Sequence, residues 1–82
     1  MDEPFILTIQ YDGRGYTFPA RLAIMGYTHK FYVAVNGKEV VFEPDEERKY
    51  RAILSEADQR KVTDRERGMI REIGIKIEEI QS

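Results

Sequence analysis

Phe31-Tyr-Val-Ala-Val-Asn-Gly-Lys-Glu-Val-Val-Phe42 holds two β-rich runs joined by Asn36-Gly37. Asn-Gly between alternating apolar residues is a strong hairpin signal, because a type I′ turn needs positive φ at both central positions. A two-residue turn fixes the register. Val35 then faces Lys38, Ala34 faces Glu39, Val33 faces Val40, Tyr32 faces Val41, Phe31 faces Phe42 and Lys30 faces Glu43. Since side chains alternate along a strand, one face carries Phe31, Val33, Val40 and Phe42. The opposite face carries Tyr32, Ala34, Val41 and a Lys30–Glu43 pair.

The same alternation continues upstream. Phe5, Leu7, Ile9 and Tyr11 lie on one side of a first run, with Ile6, Thr8 and Gln10 on the other. Asp12-Gly13-Arg14-Gly15 follows as a turn. Tyr16, Phe18, Ala20, Leu22 and Ile24 then alternate with Thr17, Pro19, Arg21, Ala23 and Met25. A loop of either two or four residues pairs the core faces of these two strands. Pro19 has no N–H, which places it at a bulge or with its nitrogen directed away from a neighbouring strand. Gly26-Tyr27-Thr28-His29 forms the next turn.

Downstream, Thr63-Asp-Arg-Glu66 matches a capping box, and Met69, Ile70, Ile73, Ile77 and Ile80 recur at the helical period. Ile75 lies off that stripe, and Gly74 costs about 1 kcal/mol against alanine in a helix. Between these parts, residues 43–54 fit two descriptions. Pro44-Asp45-Glu46-Glu47 resembles a helix start, with Tyr50, Ile53, Leu54 and Ala57 helically spaced. Alternatively Asp45-Glu46-Glu47 is a loop, and Tyr50, Ala52 and Leu54 continue the core face of a fifth strand. A run this short does not settle the matter by periodicity.

Two stretches bear on that choice. Gly26-Tyr-Thr-His-Lys-Phe31, and Phe42-Glu-Pro-Asp-Glu-Glu-Arg48 followed by Tyr50-Arg51-Ala52, resemble a group of small uncharacterised bacterial proteins of the Bacteroidetes type. Those proteins look like strand-rich chains ending in one amphipathic helix, and the likeness runs over nearly the whole chain. The resemblance implies a hairpin turn for the acidic segment. It brings no assigned activity and no functional residue.

The resulting expectation is one α+β domain over 1–82. Five antiparallel strands form a meander near 4–11, 16–25, 29–36, 38–43 and 49–54, with a helix near 64–80. The helix packs on the face bearing Phe5, Leu7, Ile9, Phe18, Leu22, Ile24, Phe31, Val33, Val40 and Phe42.

Composition narrows function mainly by exclusion. With 82 residues there is room for one core, and a chain of this length buries only about 60–65% of its unfolded surface. Hydrophobic content of 41% beside 34% charge argues against disorder. The chain has no cysteine, so disulfides, thiolate zinc sites and cysteine nucleophiles are excluded. One histidine, His29, rules out a histidine-based metal cluster. His29 itself reads as a solvated turn residue. Met1-Asp2-Glu3-Pro4 lacks the basic stretch and apolar run of a signal peptide, and no segment is long and apolar enough for a bilayer span. The expected location is the cytoplasm. Net charge of −2 and a pI near 5.4 weigh against general nucleic-acid binding, which rests on neutralising phosphates.

Glu43, Asp45, Glu46 and Glu47 cluster, yet lack the spacing of a calcium loop. Asp12-Gly13-Arg14-Gly15 has no Gly-Lys-Ser/Thr ending and no helix after it, so it is a hairpin turn rather than a phosphate loop. Arg60, Lys61, Arg65, Arg67 and Arg71 are largely offset by Asp58, Asp64 and Glu66. Arg67 and Arg71 have the spacing to grip an acidic partner. No catalytic residue, cofactor site or metal site is expected.

The informative surface is the second sheet face, carrying Ile6, Thr8, Gln10, Arg21, Ala23, Met25, Lys30, Tyr32, Ala34 and Val41. It is more apolar than a solvated sheet face normally is. Three readings compete. It is a binding face for a protein partner or for self-association, with Ile6, Arg21, Met25, Lys30, Tyr32 and Val41 as the contact set. It is covered by residues 55–62 or an N-terminal arm. Or it binds nucleic acid, with Tyr32 stacking a base and Arg21 and Lys30 holding phosphate. A non-enzymatic interaction module leads, a nucleic-acid binder follows, and a small enzyme comes last.

Overall fold

The computed structural model describes residues 2–47 and 49–81, with the side chains of Asp2 and Met25 outside that description. Five strands, β1 (Asp2–Tyr11), β2 (Arg14–Met25), β3 (Thr28–Val35), β4 (Lys38–Pro44) and β5 (Tyr50–Ile53), form one antiparallel sheet in chain order. Two helices follow, α1 (Glu56–Lys61) and α2 (Asp64–Gln81).

The hairpin read from Asn36-Gly37 is present in every pair from Phe31↔Phe42 to Val35↔Lys38. Asn36 and Gly37 take φ of 50° and 80°, the two left-handed residues a type I′ turn requires. The β1–β2 connection uses the shorter of the two loops considered. Tyr11 pairs with Arg14 across Asp12-Gly13, whose φ values of 53° and 76° are again both positive. The third turn is shorter than the four residues expected. Met25 pairs with Thr28, so Gly26-Tyr27 makes the turn, and His29 lies inside β3 opposite Ile24 rather than in a solvated loop. Gly26, at φ 64°, supplies the left-handed residue that lets the chain reverse in two positions.

Pro19 sits where its missing donor does least harm. It pairs with Ile6 in β1, and the β2–β3 ladder ends one residue later at Ala20↔Val33. Asp45 organises the acidic turn before β5. Its Oδ1 accepts from the N–H groups of Glu47 (2.8 Å) and Lys49 (2.9 Å), and its own N–H donates to the Lys49 carbonyl at 2.7 Å. Arg48, expected to flank this turn, lies outside the described residues.

α2 lies over the predicted face, approaching β1 and β5. Leu7, Ile9, Phe18, Ala20, Phe31, Val33, Val35, Val40 and Phe42 from the sheet meet Met69, Ile70, Ile73 and Ile77 from the helix. Phe31 is the centre of this layer, edge-on to Phe5 at 6.1 Å and to Tyr50 at 5.5 Å between ring centroids. Three expected core residues stay outside it, the first being Ala52, which pairs with Phe42 on the same face but is exposed. Ile24 is 39% exposed; it pairs with His29 at the rim, where Gln81 at the end of α2 places its Oε1 3.3 Å from His29 Nδ1. Ile80, on the helical stripe, is half exposed in the last turn of α2.

α1 was not expected. Its signal is Ser55-Glu-Ala-Asp58, in which Ser55 caps the helix and accepts from the Asp58 N–H at 3.2 Å. A short six-residue helix with no buried side chain leaves no apolar periodicity to read.

The two glycines of α2 behave oppositely. A Cβ on Gly74 would meet Phe42 at 3.6 Å and the Tyr50 carbonyl at 3.7 Å, ordinary contact distances. Gly74→Ala therefore raises stability by up to about 1 kcal/mol, the helix-propensity difference. A Cβ on Gly68 would lie 2.7 Å from Tyr11 ring carbons. Gly68→Ala must push the Tyr11 ring off the helix, an overpacking cost of about 1–3 kcal/mol that outweighs the propensity gain. Paired urea melts of the two variants check the opposite signs.

Candidate functional site

The outer sheet face takes its shape from rows that run across the strands. Pro4, Arg21, Tyr32, Val41 and Ile53 form one row. Ala23, Lys30, Glu43 and Arg51 form the next, Lys30 and Glu43 being linked through Tyr32↔Val41 and Phe31↔Phe42 by the same register. Ile6 and Pro19 pair on the far side of the first row. Five of the six expected contact residues, Ile6, Arg21, Lys30, Tyr32 and Val41, thus share one surface. Met25 belongs to it by backbone register, and its side chain lies outside the described residues.

Neither expected cover lies on this face. The chain from Asp2 onward is β1 itself, so no arm precedes it among the described residues. Residues 55–62 fold against the other side, where Leu54, Gln59 and Val62 border α2 at Arg67 and Ile70. Ile6 is 65% exposed and Ile53 38% exposed. Tyr32 and Val41 are half-buried by their neighbours, and Ala34 is exposed.

Arg21 and Lys30 of the face are engaged within the molecule. The Arg21 guanidinium lies 4.1 Å above the Tyr32 ring and 3.9 Å from Glu39. Lys30 Nζ is 3.2 Å from Glu43, the cross-strand pair read from the register. A shallow depression of about 220 Å³ opens between Pro4, Pro19, Arg21, Tyr32, Ala34 and Glu39. Its walls are mostly apolar, with one charge of each sign at the rim.

A second cluster, on the helix side, is structural. Glu66 is 5% exposed and closes the capping box in both directions. Its carboxylate accepts from the Thr63 N–H at 3.0 Å, and its own N–H donates to Thr63 Oγ1 at 3.1 Å. The same carboxylate accepts from Asn36 Nδ2 at 2.9 Å and Lys38 Nζ at 3.2 Å. The capping box was legible in sequence. The link to the Asn-Gly turn was not, because the two segments lie 30 residues apart. The Thr63 amide, and then the Asn36 side chain, hold the Glu66 carboxyl down at about 2, against the opposing effect of burial and with further help from Lys38.

Arg65, Arg67 and Lys76 of α2 are likewise engaged, Lys76 with Glu79 at 4.0 Å, and Arg71 is exposed. Arg65 stacks over Tyr11 and Tyr16, at 5.9 and 5.5 Å from the ring centroids, and donates to the Tyr16 hydroxyl. Arg67, one of the two arginines spaced to grip an acidic partner, lies 3.7 Å from Asp64, with both side chains exposed. Among the described residues, no three His, Asp or Glu side chains converge as a metal site requires, and no helix is long and apolar enough to cross a membrane.

No protein-family model matches the chain, and neither the curated proteins nor the solved structures contain a match to it.

Proposed function

We propose that the protein is a non-enzymatic interaction module that contacts a protein partner through its outer sheet face. The carrying observation is the asymmetry of the sheet. One face is sealed by α2, with Val33, Val40 and Phe42 at most 1% exposed, while the other presents Ile6, Tyr32, Val41 and Ile53 with no element packed over them among the described residues. Apolar surface that a domain leaves uncovered is a recurrent property of contact sites. Tyr and Arg, stacked here as Tyr32 and Arg21, are the residue types that carry most energy at interfaces.

The nucleic-acid reading is weakened by the same geometry. Arg21 occupies a face of the Tyr32 ring that a base would need, and Lys30 and Arg21 each have a carboxylate beside them. The acidic pI points the same way.

A photoreactive residue at position 41, in extract from the source cells, tests the proposal. The expected result is one discrete protein adduct that disappears when Tyr32→Lys is added. An adduct with nucleic acid, or none above that of the same group placed at Arg71 on the exposed side of α2, contradicts it.

A further inference from the structure

The two edges of the sheet are guarded very differently. Unpaired edge strands invite pairing with another chain, and proteins blunt them with shortness, charge, proline or bulges. β5 is blunted. It has four residues, carries Arg51, and its Tyr50 N–H is taken by Glu78 Oε2 of α2 at 3.1 Å. β1 is ten residues long, pairs with β2 without a bulge from Asp2↔Ala23 to Tyr11↔Arg14, and has no charged residue from Pro4 through Tyr11.

The hairpin geometry says which backbone groups that edge offers. The pair closing a two-residue hairpin, Tyr11 and Arg14, exchanges both backbone hydrogen bonds, and bonded and non-bonded pairs then alternate. Ile9, Leu7 and Phe5 therefore bond to β2, while Ile6, Thr8 and Gln10 direct N–H and C=O groups away from the sheet. Pro4 fits this parity, since its missing donor falls on the outward side.

Each flank of the edge presents an exposed isoleucine. Ile6 stands on the outer side, 65% exposed. On the inner side a groove of about 350 Å³ runs between the β1 edge at Thr8 and Gln10 and the α2 residues Glu72, Ile75, Lys76 and Glu79. Ile75, the isoleucine off the buried helical stripe, is 44% exposed there.

We infer that this edge is a strand-addition site whose occupant is a second copy of the chain, paired antiparallel β1 to β1 about a two-fold axis at Thr8. In that register Thr8 opposes Thr8 of the other copy and Ile6 opposes Gln10, so all three outward donors of each chain find a carbonyl. Registers centred on Leu7 or Ile6 set Pro4 opposite Gln10 or Thr8 and lose a bond, which selects Thr8. The two-fold also makes the interface self-complementary, as an isologous contact must be. Leu7 meets Ile9 on the inner side, and α2 brings Glu72 and the Lys76–Glu79 pair, 4.0 Å apart within one chain, to the groove, so the two copies present charges of both signs to each other. The site shares Ile6 with the outer face but rests on the β1 backbone, so Thr8→Pro tests it apart from the contact surface around Tyr32 and Val41.

Sedimentation equilibrium up to millimolar protein, with amide hydrogen exchange at each concentration, tests it. The expected result is a monomer–dimer equilibrium in which the Ile6, Thr8 and Gln10 amides gain protection as dimer forms. Thr8→Pro, and separately Ile6→Lys, raise the dissociation constant at least about tenfold, the effect of losing one or two backbone hydrogen bonds or burying a charge. Ile6→Lys guards against a folding defect, since that side chain is exposed. A monomer at every concentration overturns the inference. So does a dimer that survives both variants and protects amides at Tyr32 and Val41 instead.

Discussion

Ile73→Ala lowers the melting temperature by more than about 10 °C, and Phe31→Ala does so by at least as much. Both side chains are fully enclosed, at 0% and 1% exposure, and both belong to the core layer between α2 and the sheet. Truncating a buried Ile or Phe costs about 2–5 kcal/mol through lost transfer energy and the cavity left behind. A domain of this size has only about 5–15 kcal/mol in total, and each kcal/mol shifts its midpoint by about 4–8 °C. Phe31 has the larger expected effect because it also loses edge-to-face contacts with Phe5 and Tyr50. Thermal unfolding followed by far-UV circular dichroism measures both. An unchanged midpoint for Ile73→Ala sinks the packing of α2 on this face.

Glu66→Gln destabilises the protein at neutral pH, and the deficit shrinks in acid. The carboxylate gathers three donors, from Thr63, Asn36 and Lys38. A glutamine can keep the Thr63 bond through its oxygen, yet it turns its amide toward both Asn36 and Lys38, which share the other oxygen, and removes the charge that Lys38 faces. The folded-state pKa is lowered to about 2 from an ordinary 4.5. A lowered folded-state value means that the ionised form stabilises the fold above pH 4.5, and that this contribution is lost as pH falls from there toward 2. The wild-type protein therefore weakens through that window more steeply than Glu66→Gln. Urea melts of the two proteins at several pH values show converging midpoints if the carboxylate acts in this way, and parallel curves if it does not.

Legibility in the sequence followed the range of the interactions. The Asn-Gly hairpin, the strand faces and the Lys30–Glu43 pair were readable because a two-residue turn transmits register over a whole strand pair. The capping box was readable because Thr63 and Glu66 are three residues apart. The fifth strand needed more than periodicity, since Tyr50–Ile53 is too short to carry a pattern and its placement rests on Asp45 closing the turn. What stayed hidden was tertiary. Nothing near Glu66 names Asn36 and Lys38, and nothing near Gly68 names the Tyr11 ring that fills the space a side chain would take. The outer face was legible as a set of residues, but its exposure depended on where residues 55–62 went, and that was settled by Val62 turning into the core.

One sheet face carries the fold, and the other is the surface proposed for contact. Methyl relaxation by a soluble paramagnetic agent, recorded on dilute labelled protein, tests this division most directly. Strong relaxation is expected at Ile6, Val41 and Ile53, with Leu7, Val33 and Ile73 unaffected. Outer-face methyls as protected as those of Val33 and Ile73 would mean that the face is sealed within the monomer, and the contact surface proposed for it would not exist.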